Sequence, residues 1–326
     1  TSRGLGDVYK RQEHIMEIIP TEFALHDKLR RVKLEIDNTG KTYDEIAAKV
    51  SEHDKVLCIV NTRKDAKELY NRLPDEGVKI HLSRMMCPAH ISETICKIKA
   101  LLKDEAHPIV RVIATQLVEA GVDIDFPVVF RQEAGLDSVL QAAGRCNREG
   151  KNRIGHTFVF SLSAEKRILF GSMAAANNAR LNLPTDSDWF APSTMEKYFQ
   201  QLYFRKDTFD KKDMKHYLYK LDELCFETAS KEFRLIDDDG MNVIVNWENS
   251  MGLVENLKKS GCTYSLMKQL AKFTVGVHRS NFSQLIKYGA VEEILEGIYV
   301  LADRAQYDNA IGLKLENHWM EEILMI

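Results

Sequence analysis

The sequence is poor in the features that mark secreted, membrane-spanning or strongly basic proteins. Its six cysteines are scattered over 326 residues and no signal peptide is recognisable, which indicates reduced thiols, no disulfide bonds and a cytoplasmic location. No apolar run approaches the ~18–20 residues that cross a bilayer, so no membrane partner is expected. The 45 basic and 48 acidic side chains give a net charge of −3, so any nucleic-acid surface must be a local patch.

The chain also lacks an internal repeat and a low-complexity linker, and its length allows two domains. It begins with threonine, and residues 1–12 are polar and interrupted by glycine. We interpret residues 1–12 as a non-native scar and exclude them from the fold. We place a first domain at residues 13–165, and linker helices with an accessory domain at residues 166–326.

Residues 32–161 alternate short β-branched runs with helical patterns, which is typical of βαβ units and predicts an α/β fold with a parallel sheet. We expect strands at residues 32–36, 56–60, 78–82, 110–114, 128–130 and 157–160. We expect helices between them at residues 43–51, 64–73, 91–102 and 138–145. Ligands bind beyond the carboxyl ends of parallel strands, so the loops that follow the strands are the expected site.

After residue 161 the pattern changes to helices followed by short strands. Helical patterns cover residues 164–181 and 195–224, and residues 233–247 predict a hairpin that turns at residues 237–240. Strands at residues 273–277 and 298–301, around a helix at residues 282–288, indicate a small α+β unit.

Three polar residues recur at helical spacing in the segment QAAGRCNREG, residues 141–150. Gln141, Arg145 and Arg148 stand at i, i+4 and i+7, which places them on one face of a continuous helix. Two guanidinium groups one turn apart suit the charge of a triphosphate during phosphoryl transfer, where they would act as arginine fingers. The alternative is a solvated basic helix face, and the fixed identities at set spacing favour the first interpretation.

Two further segments place polar groups where strands end. Thr115 can donate to a nucleic-acid phosphate, and Asp123, after a close-packed Gly121, can accept from a ribose hydroxyl or an arginine. An ordinary turn capped by Asp123 is the alternative. Asn61 and Thr62 precede a helix whose N-terminus can bind phosphate, although a plain N-cap explains the same residues.

Taken in order, residues 57–66, 113–126 and 141–150 resemble motifs four, five and six of superfamily 2 helicases. With HLSRMMCPAH at residues 81–90, the segment is similar to the CRISPR-associated helicase–nuclease of type I systems. The likeness extends weakly into the tail, at residues 273–277, 297–301 and 307–313, while Ile91 stands where that family usually has an arginine. The resemblance implies a second RecA-like domain, a parallel sheet flanked by helices, followed by a mostly helical and α+β accessory domain.

The resemblance also implies roles for single residues. Arg145 and Arg148 would reach the γ-phosphate of ATP, Gln141 and Asp123 would position the nucleotide and couple it to motion, and Gly121 would lie against the ribose. The backbone of single-stranded DNA would be held by Thr115, Asn61, Thr62, Arg63 and Ser83.

The function implied is the carboxy-terminal half of an ATP-dependent DNA translocase that degrades invading DNA together with a CRISPR RNA-guided surveillance complex. ATP would be shared with a first RecA-like domain, which would also bind Mg²⁺. We expect the chain alone not to hydrolyse ATP, because the phosphate loop, the magnesium box and the nuclease domain are missing from its sequence. Two alternatives stay open: a superfamily 2 helicase half from another DNA or RNA pathway, and a non-catalytic nucleic-acid-binding module.

Four local patterns imitate ligand sites, and we interpret each of them as structural. Residues 40–42 (GKT) lack the glycines of a phosphate loop and predict a polar turn with a threonine cap. Residues 104–107 (DEAH) predict a loop, and residues 237–240 (DDDG) a hairpin turn outside the calcium-loop register. Cys87, His90 and Cys96 lack a fourth zinc ligand, so no metal site is expected in the chain.

Overall fold

A six-stranded parallel sheet organises the first half of the chain in the computed structural model, which describes residues 23, 25–106, 108–163, 171–184, 186–204, 210, 212–220, 225–233 and 240–315. Its strands are β1 (Val32–Lys41), β2 (Lys55–Val60), β3 (Val78–Leu82), β4 (Val110–Thr115), β5 (Val128–Gln132) and β6 (Gly155–Leu162). They lie side by side in the order β1-β6-β5-β2-β4-β3, and every neighbouring pair is parallel. The predicted α/β class and all six predicted strands are confirmed.

Helices cover both faces of this sheet, as the nearly continuous burial of β2 and β4 requires. They are α2 (Tyr43–Ser51), α3 (Arg63–Arg72), α4 (Pro88–Lys103) and α5 (Leu136–Ala143), and a short helix, α1 (Leu25–Lys28), precedes β1. Apolar side chains of the central strands form two clusters, one on each face, with Leu57 and Val112 in one and Cys58 and Ile113 in the other. This RecA-like architecture leaves the carboxyl ends of the strands free for a site.

A capping box begins α2. The Thr42 hydroxyl accepts from the Glu45 N–H at 3.2 Å, and the Glu45 carboxylate accepts from the Thr42 N–H at 2.7 Å. The predicted threonine cap is therefore confirmed. The predicted polar turn is wrong, because Gly40 and Lys41 continue β1 and pair with β6.

Further helices follow the first sheet in the chain. They are α6 (Gly171–Leu181), α7 (Pro192–Phe204) and α8 (Phe226–Glu232), with a short π-helix at His216–Lys220. Apolar residues of α6 and α7, among them Ala179 and Tyr198, form one cluster with Leu136 and Val139 of α5. The single continuous helix predicted at residues 195–224 is wrong, because residues 210, 212 and 213 are not helical. Residues 164–170, where we place the domain boundary, and residues 1–12 lie outside the described residues.

A small mixed sheet forms the accessory domain. Its elements are β7 (Gly240–Ile244), α9 (Ser250–Ser260), α10 (Tyr264–Leu270), β8 (Thr274–His278), α11 (Arg279–Lys287), β9 (Val291–Leu295), β10 (Ile298–Leu301), β11 (Tyr307–Asp308) and β12 (Gly312–Leu313). The order β8-β7-β10-β9 contains one parallel pair, β7 with β10. The predicted α+β unit is confirmed. Residues 234–239, which include most of the predicted hairpin turn, lie outside the described residues, and β7 pairs with β8 and β10.

The accessory domain is bonded to the segment that leads into α4. The Tyr307 hydroxyl accepts from the Cys87 N–H at 3.0 Å and lies 3.0 Å from His90 Nδ1. The His90 ring stacks on Trp247 with 3.8 Å between ring centroids. Cys87 and His90 thus belong to an interdomain contact, whereas Cys96 is exposed, which confirms the structural interpretation of their spacing.

The remaining patterns are also structural wherever they are described. Asp104 caps the end of α4 and accepts from the Ala106 N–H at 2.8 Å, so the predicted loop is confirmed, while His107 lies outside the described residues. All six cysteines are free thiols. Along the described parts of the chain, no helix is long and apolar enough to cross a lipid bilayer.

Gly312 tests the contact between the domains. Gly312 and Gly297 both have a positive φ, +79° and +75°, but only at Gly312 would a Cβ overlap the carbonyl of Met85; at Gly297 it would meet no atom within 4 Å. Alanine at either position should cost roughly 1–3 kcal/mol through backbone strain. Gly312→Ala should cost roughly 1–3 kcal/mol more through overpacking. Urea unfolding of the two variants measures this difference, and equal losses would contradict the docking.

Candidate functional site

The arginine-bearing segment is a turn and not a helix. α5 ends at Ala143 with Gly144 as its C-cap, so of the three predicted residues only Gln141 lies on the helix. The prediction that Gln141, Arg145 and Arg148 share one helix face is therefore wrong. The reason is Asn147, which adopts the left-handed conformation at φ 47°, and that conformation is incompatible with a continuing α-helix.

The side chain of Asn147 replaces the lost helical hydrogen bonds. Its Nδ2 donates to the carbonyls of Asn152 at 2.8 Å and Arg31 at 3.1 Å, and its Oδ1 accepts from the Asn152 N–H at 3.0 Å. Short polar side chains that bond to nearby backbone favour turns over helices for this reason. The chain after α5 is consequently held in one conformation.

Backbone hydrogen bonds fasten this turn to the segment before β5. The Phe126 N–H donates to the Arg145 carbonyl at 3.0 Å, and the Asn147 N–H donates to the Phe126 carbonyl at 2.8 Å. The Arg148 N–H donates to Asp125 Oδ1 at 2.7 Å. The turn and the loop that carries Asp123 therefore form one unit.

That unit brings the predicted nucleotide residues together. Gly121, Asp123, Gln141, Arg145 and Arg148 all line a single open cavity of about 510 Å³, together with Glu119, Val122 and Gly144. The grouping predicted from the sequence thus exists, although a turn creates it where a helix was expected.

The two arginines of this cavity differ in their partners. Arg148 Nη1 forms an ion pair with Asp123 Oδ1 at 3.0 Å, and both side chains are exposed. Arg145 is half-buried, and its Nη2 donates to the Glu119 carbonyl at 2.7 Å. Arg145 Nε is buried and has no hydrogen-bond partner among the described residues. Burial lowers the pKa of Arg145, and the charge of Arg148 lowers it further, so an anionic ligand would relieve both effects.

Gly121 leaves one wall of the cavity open. Its φ is +73°, and a Cβ at this position would meet no atom within 4 Å. The prediction that Gly121 is close-packed is wrong. The backbone conformation is the reason for a glycine here, and the free space beside it is available to a ligand.

A buried ion pair lies beneath the cavity and was not predicted from the sequence. Arg131 Nε lies 2.8 Å from Glu119 Oε1, and the two side chains are 0% and 8% exposed. Burial raises the pKa of Glu119, while Arg131 and a hydrogen bond from Ser138 oppose that rise. The available signal was Arg131 itself, a charged residue that directly continues the apolar run of β5.

The residues predicted to hold nucleic acid lie at the carboxyl ends of β2, β3 and β4. Thr62 caps α3 by accepting from the Asp65 N–H at 3.1 Å, so the N-cap alternative holds for this hydroxyl. The Asn61 amide is bound within the protein, where Nδ2 donates to the Glu133 carbonyl at 2.7 Å. Thr115 is 9% exposed at the end of β4.

Arg63 and Ser83 line a second cavity, of about 220 Å³, which we call the interdomain groove. Its lining contains several cations and no aspartate or glutamate: Arg63, Lys64, Lys67, His81, Ser83, Met85, Asn281, Ile311, Leu313, Lys314 and Leu315. An anionic chain fits such a surface. The contribution of the accessory domain, including Lys314, was not predicted.

His81 is a deeply buried polar group of the interdomain groove. It is 3% exposed, and neither ring nitrogen has a hydrogen-bond partner among the described residues. Burial lowers the pKa of His81 from 6.5 to about 4, and burial also lowers the pKa of His90 to about 4. Both rings are therefore neutral near pH 7.

The sequence comparisons with known proteins find similarity to Cas3. Residues 52–151 match the family model described as "CRISPR-associated nuclease/helicase Cas3, C-terminal". A curated relative, the CRISPR-associated nuclease/helicase Cas3 of Methanothermobacter thermautotrophicus, is 33% identical over 125 residues, which is 38% of this chain and 14% of the relative.

Solved structures show the same fold. The crystal structure of T. fusca Cas3-ADP aligns with a TM-score of 0.57 and 14% identity, over 94% of this chain and 44% of that chain. A chain of the "CRISPR RNA-guided surveillance complex, pre-nicking" aligns with a TM-score of 0.52 and 15% identity, over 87% of this chain and 44% of that chain. The chain thus spans less than half the length of these proteins.

The six-stranded parallel sheet with the small mixed sheet after it is a RecA-like fold with an accessory domain, the fold that the T. fusca Cas3 structure shares. More narrowly, residues 52–151 are similar to the C-terminal part of Cas3, the CRISPR-associated nuclease/helicase.

The two buried histidines predict the pH dependence of stability. The pKa of His90 is about 4 in the folded protein and 6.5 in the unfolded chain. Between pH 4 and pH 6.5 the unfolded chain therefore binds a proton at His90 that the folded protein does not bind. Stability should therefore be complete above about pH 6.5 and fall toward pH 4, by up to about 1.4 kcal/mol per pH unit for each such histidine.

Urea unfolding at pH 7.5 and 5.5 measures this loss. His90→Gln should reduce the difference between the two pH values, while replacement of the exposed His278 by Gln should leave it unchanged. An unchanged pH dependence in His90→Gln would contradict a neutral buried His90.

Proposed function

We propose that this chain is the carboxy-terminal half of an ATP-dependent single-strand DNA translocase of CRISPR interference. The observation that carries the proposal is the cavity where Arg145, Arg148, Gln141, Asp123 and Gly121 meet, within the segment that matches the Cas3 C-terminal family. We further propose that the chain alone does not hydrolyse ATP, because a first RecA-like domain supplies the other wall of the nucleotide site.

The cavity suits a nucleotide triphosphate. Among the described residues, the buried Nε of Arg145 has no partner and no atom lies beside Gly121, and a phosphate and a ribose would fill these two places. Arg145 and Arg148 would bind the transferred phosphoryl group and stabilise the negative charge that spreads over its oxygens. Gln141 and Asp123 would orient the nucleotide. Bound ATP supplies the phosphoryl group whose transfer to water drives movement.

Magnesium is assigned to the first RecA-like domain. Among the described residues, no three histidine, cysteine, aspartate or glutamate side chains are arranged to hold a metal ion. We propose that the first RecA-like domain would bring the Mg²⁺ that neutralises the charge of the phosphates.

DNA would run along the carboxyl ends of the strands and through the interdomain groove. The proposed contacts to the DNA backbone are Thr115, Asn61, Thr62, Arg63 and Ser83. Arg63 and Ser83 line the groove, where further cations add positive charge for the DNA phosphates. A CRISPR RNA-guided surveillance complex is the proposed partner, by analogy with the structural neighbour of that name. Such a protein would act in the cytoplasm.

Arg148→Ala tests the nucleotide site in a chain that carries both RecA-like domains. By the general effect of arginine fingers, ATP turnover should fall roughly 10³-fold or more. The exposed Arg153, which does not line the cavity, provides the matched control, and Arg153→Ala should stay within about twofold of wild type. DNA-stimulated phosphate release measures both variants, and near-wild-type turnover of Arg148→Ala would refute the finger role.

Titration of labelled single-stranded DNA into this chain tests the interdomain groove. Affinity should fall with salt, and Arg63→Ala should weaken binding and reduce the salt slope by about 1, as expected for one lost phosphate contact. Lys258→Ala, at an exposed position of α9 outside the groove, should leave the slope unchanged. Identical slopes for Arg63→Ala and wild type would place the DNA elsewhere.

A further inference from the structure

The buried pair of Arg131 and Glu119 requires an explanation other than stability. Removing both charges from water costs free energy, and well-packed apolar side chains of similar volume often stabilise a protein as well or better. Arg131 is nevertheless the largest wholly buried side chain of the described residues. What distinguishes the pair is the set of elements that it connects.

Arg131 contacts three elements at once. Its Nη1 donates to Asn61 Oδ1 at 2.7 Å, at the end of β2, and its Nη2 donates to the Ser138 hydroxyl at 2.8 Å, on α5. Its Nε forms the ion pair with Glu119, in the loop after β4. The planar, forked guanidinium can hold these groups together, whereas a lysine ammonium is a single point of charge.

Glu119 continues the connection toward the nucleotide cavity. Its carboxylate is fixed by Arg131 and by the Ser138 hydroxyl, which lies 2.8 Å from Oε2. Its main-chain carbonyl accepts from Arg145 Nη2 at 2.7 Å. Because one residue makes both contacts, the position of Arg145 depends on the buried pair.

We propose that Arg131 and Glu119 are positioning residues. They hold the side chain of Arg145 in place in the nucleotide cavity, and they connect its position to Asn61, at the edge of the sheet where nucleic acid would bind. The inference rests on the proposed function for the nucleotide role of Arg145 and the nucleic-acid role of Asn61. A displacement of the end of β2 would move Arg131, then Glu119, and then the guanidinium of Arg145.

Arg131→Lys is the informative variant, since it keeps the charge opposite Glu119 but loses the fork. Arg111 offers a matched control in the same sheet. It is 3% exposed in β4, and it donates to the carbonyls of Ser51, His53 and Glu76, near the opposite ends of the strands. Arg111→Lys thus disturbs an equally buried guanidinium away from the cavity.

Hydrogen exchange of this chain tests the positioning directly. In Arg131→Lys, amides of residues 116–125 and 144–149 should exchange about tenfold faster or more, because their loops lose a common anchor. Arg111→Lys should leave these two segments unchanged. Unchanged exchange in Arg131→Lys, or equal acceleration in both variants, would overturn the inference.

Kinetics of a chain with both RecA-like domains test the consequence. Arg131→Lys should lower the DNA-stimulated kcat about tenfold or more with the KM for ATP nearly unchanged, because a displaced arginine finger acts on the transition state. Its melting temperature should fall no further than that of Arg111→Lys, which also loses buried hydrogen bonds. A kcat equal to wild type, or a loss matched by Arg111→Lys, would overturn it. Absence of ATP turnover in the wild type would instead refute the proposed function. The hydrogen-exchange experiment would then still show whether Arg131 fixes the two loops.

Discussion

The site depends on a short backbone ladder between Phe126 and the turn after α5. The Phe126 N–H and carbonyl bind Arg145 and Asn147 in place of helical partners. This ladder joins two segments that are about twenty residues apart in the sequence, and it sets Arg145 and Arg148 beside the loop of Asp123. Without it, the two guanidinium groups would follow α5 or move freely, and the cavity would not exist in its present form.

Electrostatics give this cavity two layers. At the surface, Arg148 pairs with Asp123, a contact between exposed groups that water and salt weaken. Below, Arg131 and Glu119 are buried, and removing one partner would leave an uncompensated charge. The upper layer can exchange its partner for a ligand, whereas the lower layer holds the elements in place. Arg145 lies between them, bonded to the backbone of Glu119 and exposed enough to reach a ligand.

The accessory domain adds a surface that the RecA-like domain lacks by itself. Its attachment through Tyr307, Trp247 and Gly312 fixes it beside the segment between β3 and α4. Lys314 and Asn281 then face Arg63 and Ser83 across the interdomain groove. The cavity of Arg145 and the interdomain groove lie on loops from the same ends of the strands, so a shift of those ends would affect both.

The sequence by itself determined the six strands of the first sheet, most helices and five of the eight residues that line the cavity. Buried parallel strands appear in a sequence as apolar runs. The alternation of strands and helices then predicts that ligands bind at the edge of the sheet where the carboxyl ends of the strands lie. Only the tertiary structure decided that Arg145 and Arg148 lie on a turn, because the left-handed Asn147 depends on bonds to Arg31, Asn152 and Phe126, which are local in space. It likewise decided the burial of Arg131 and the groove with Lys314, since both require contacts between distant segments that no periodicity records.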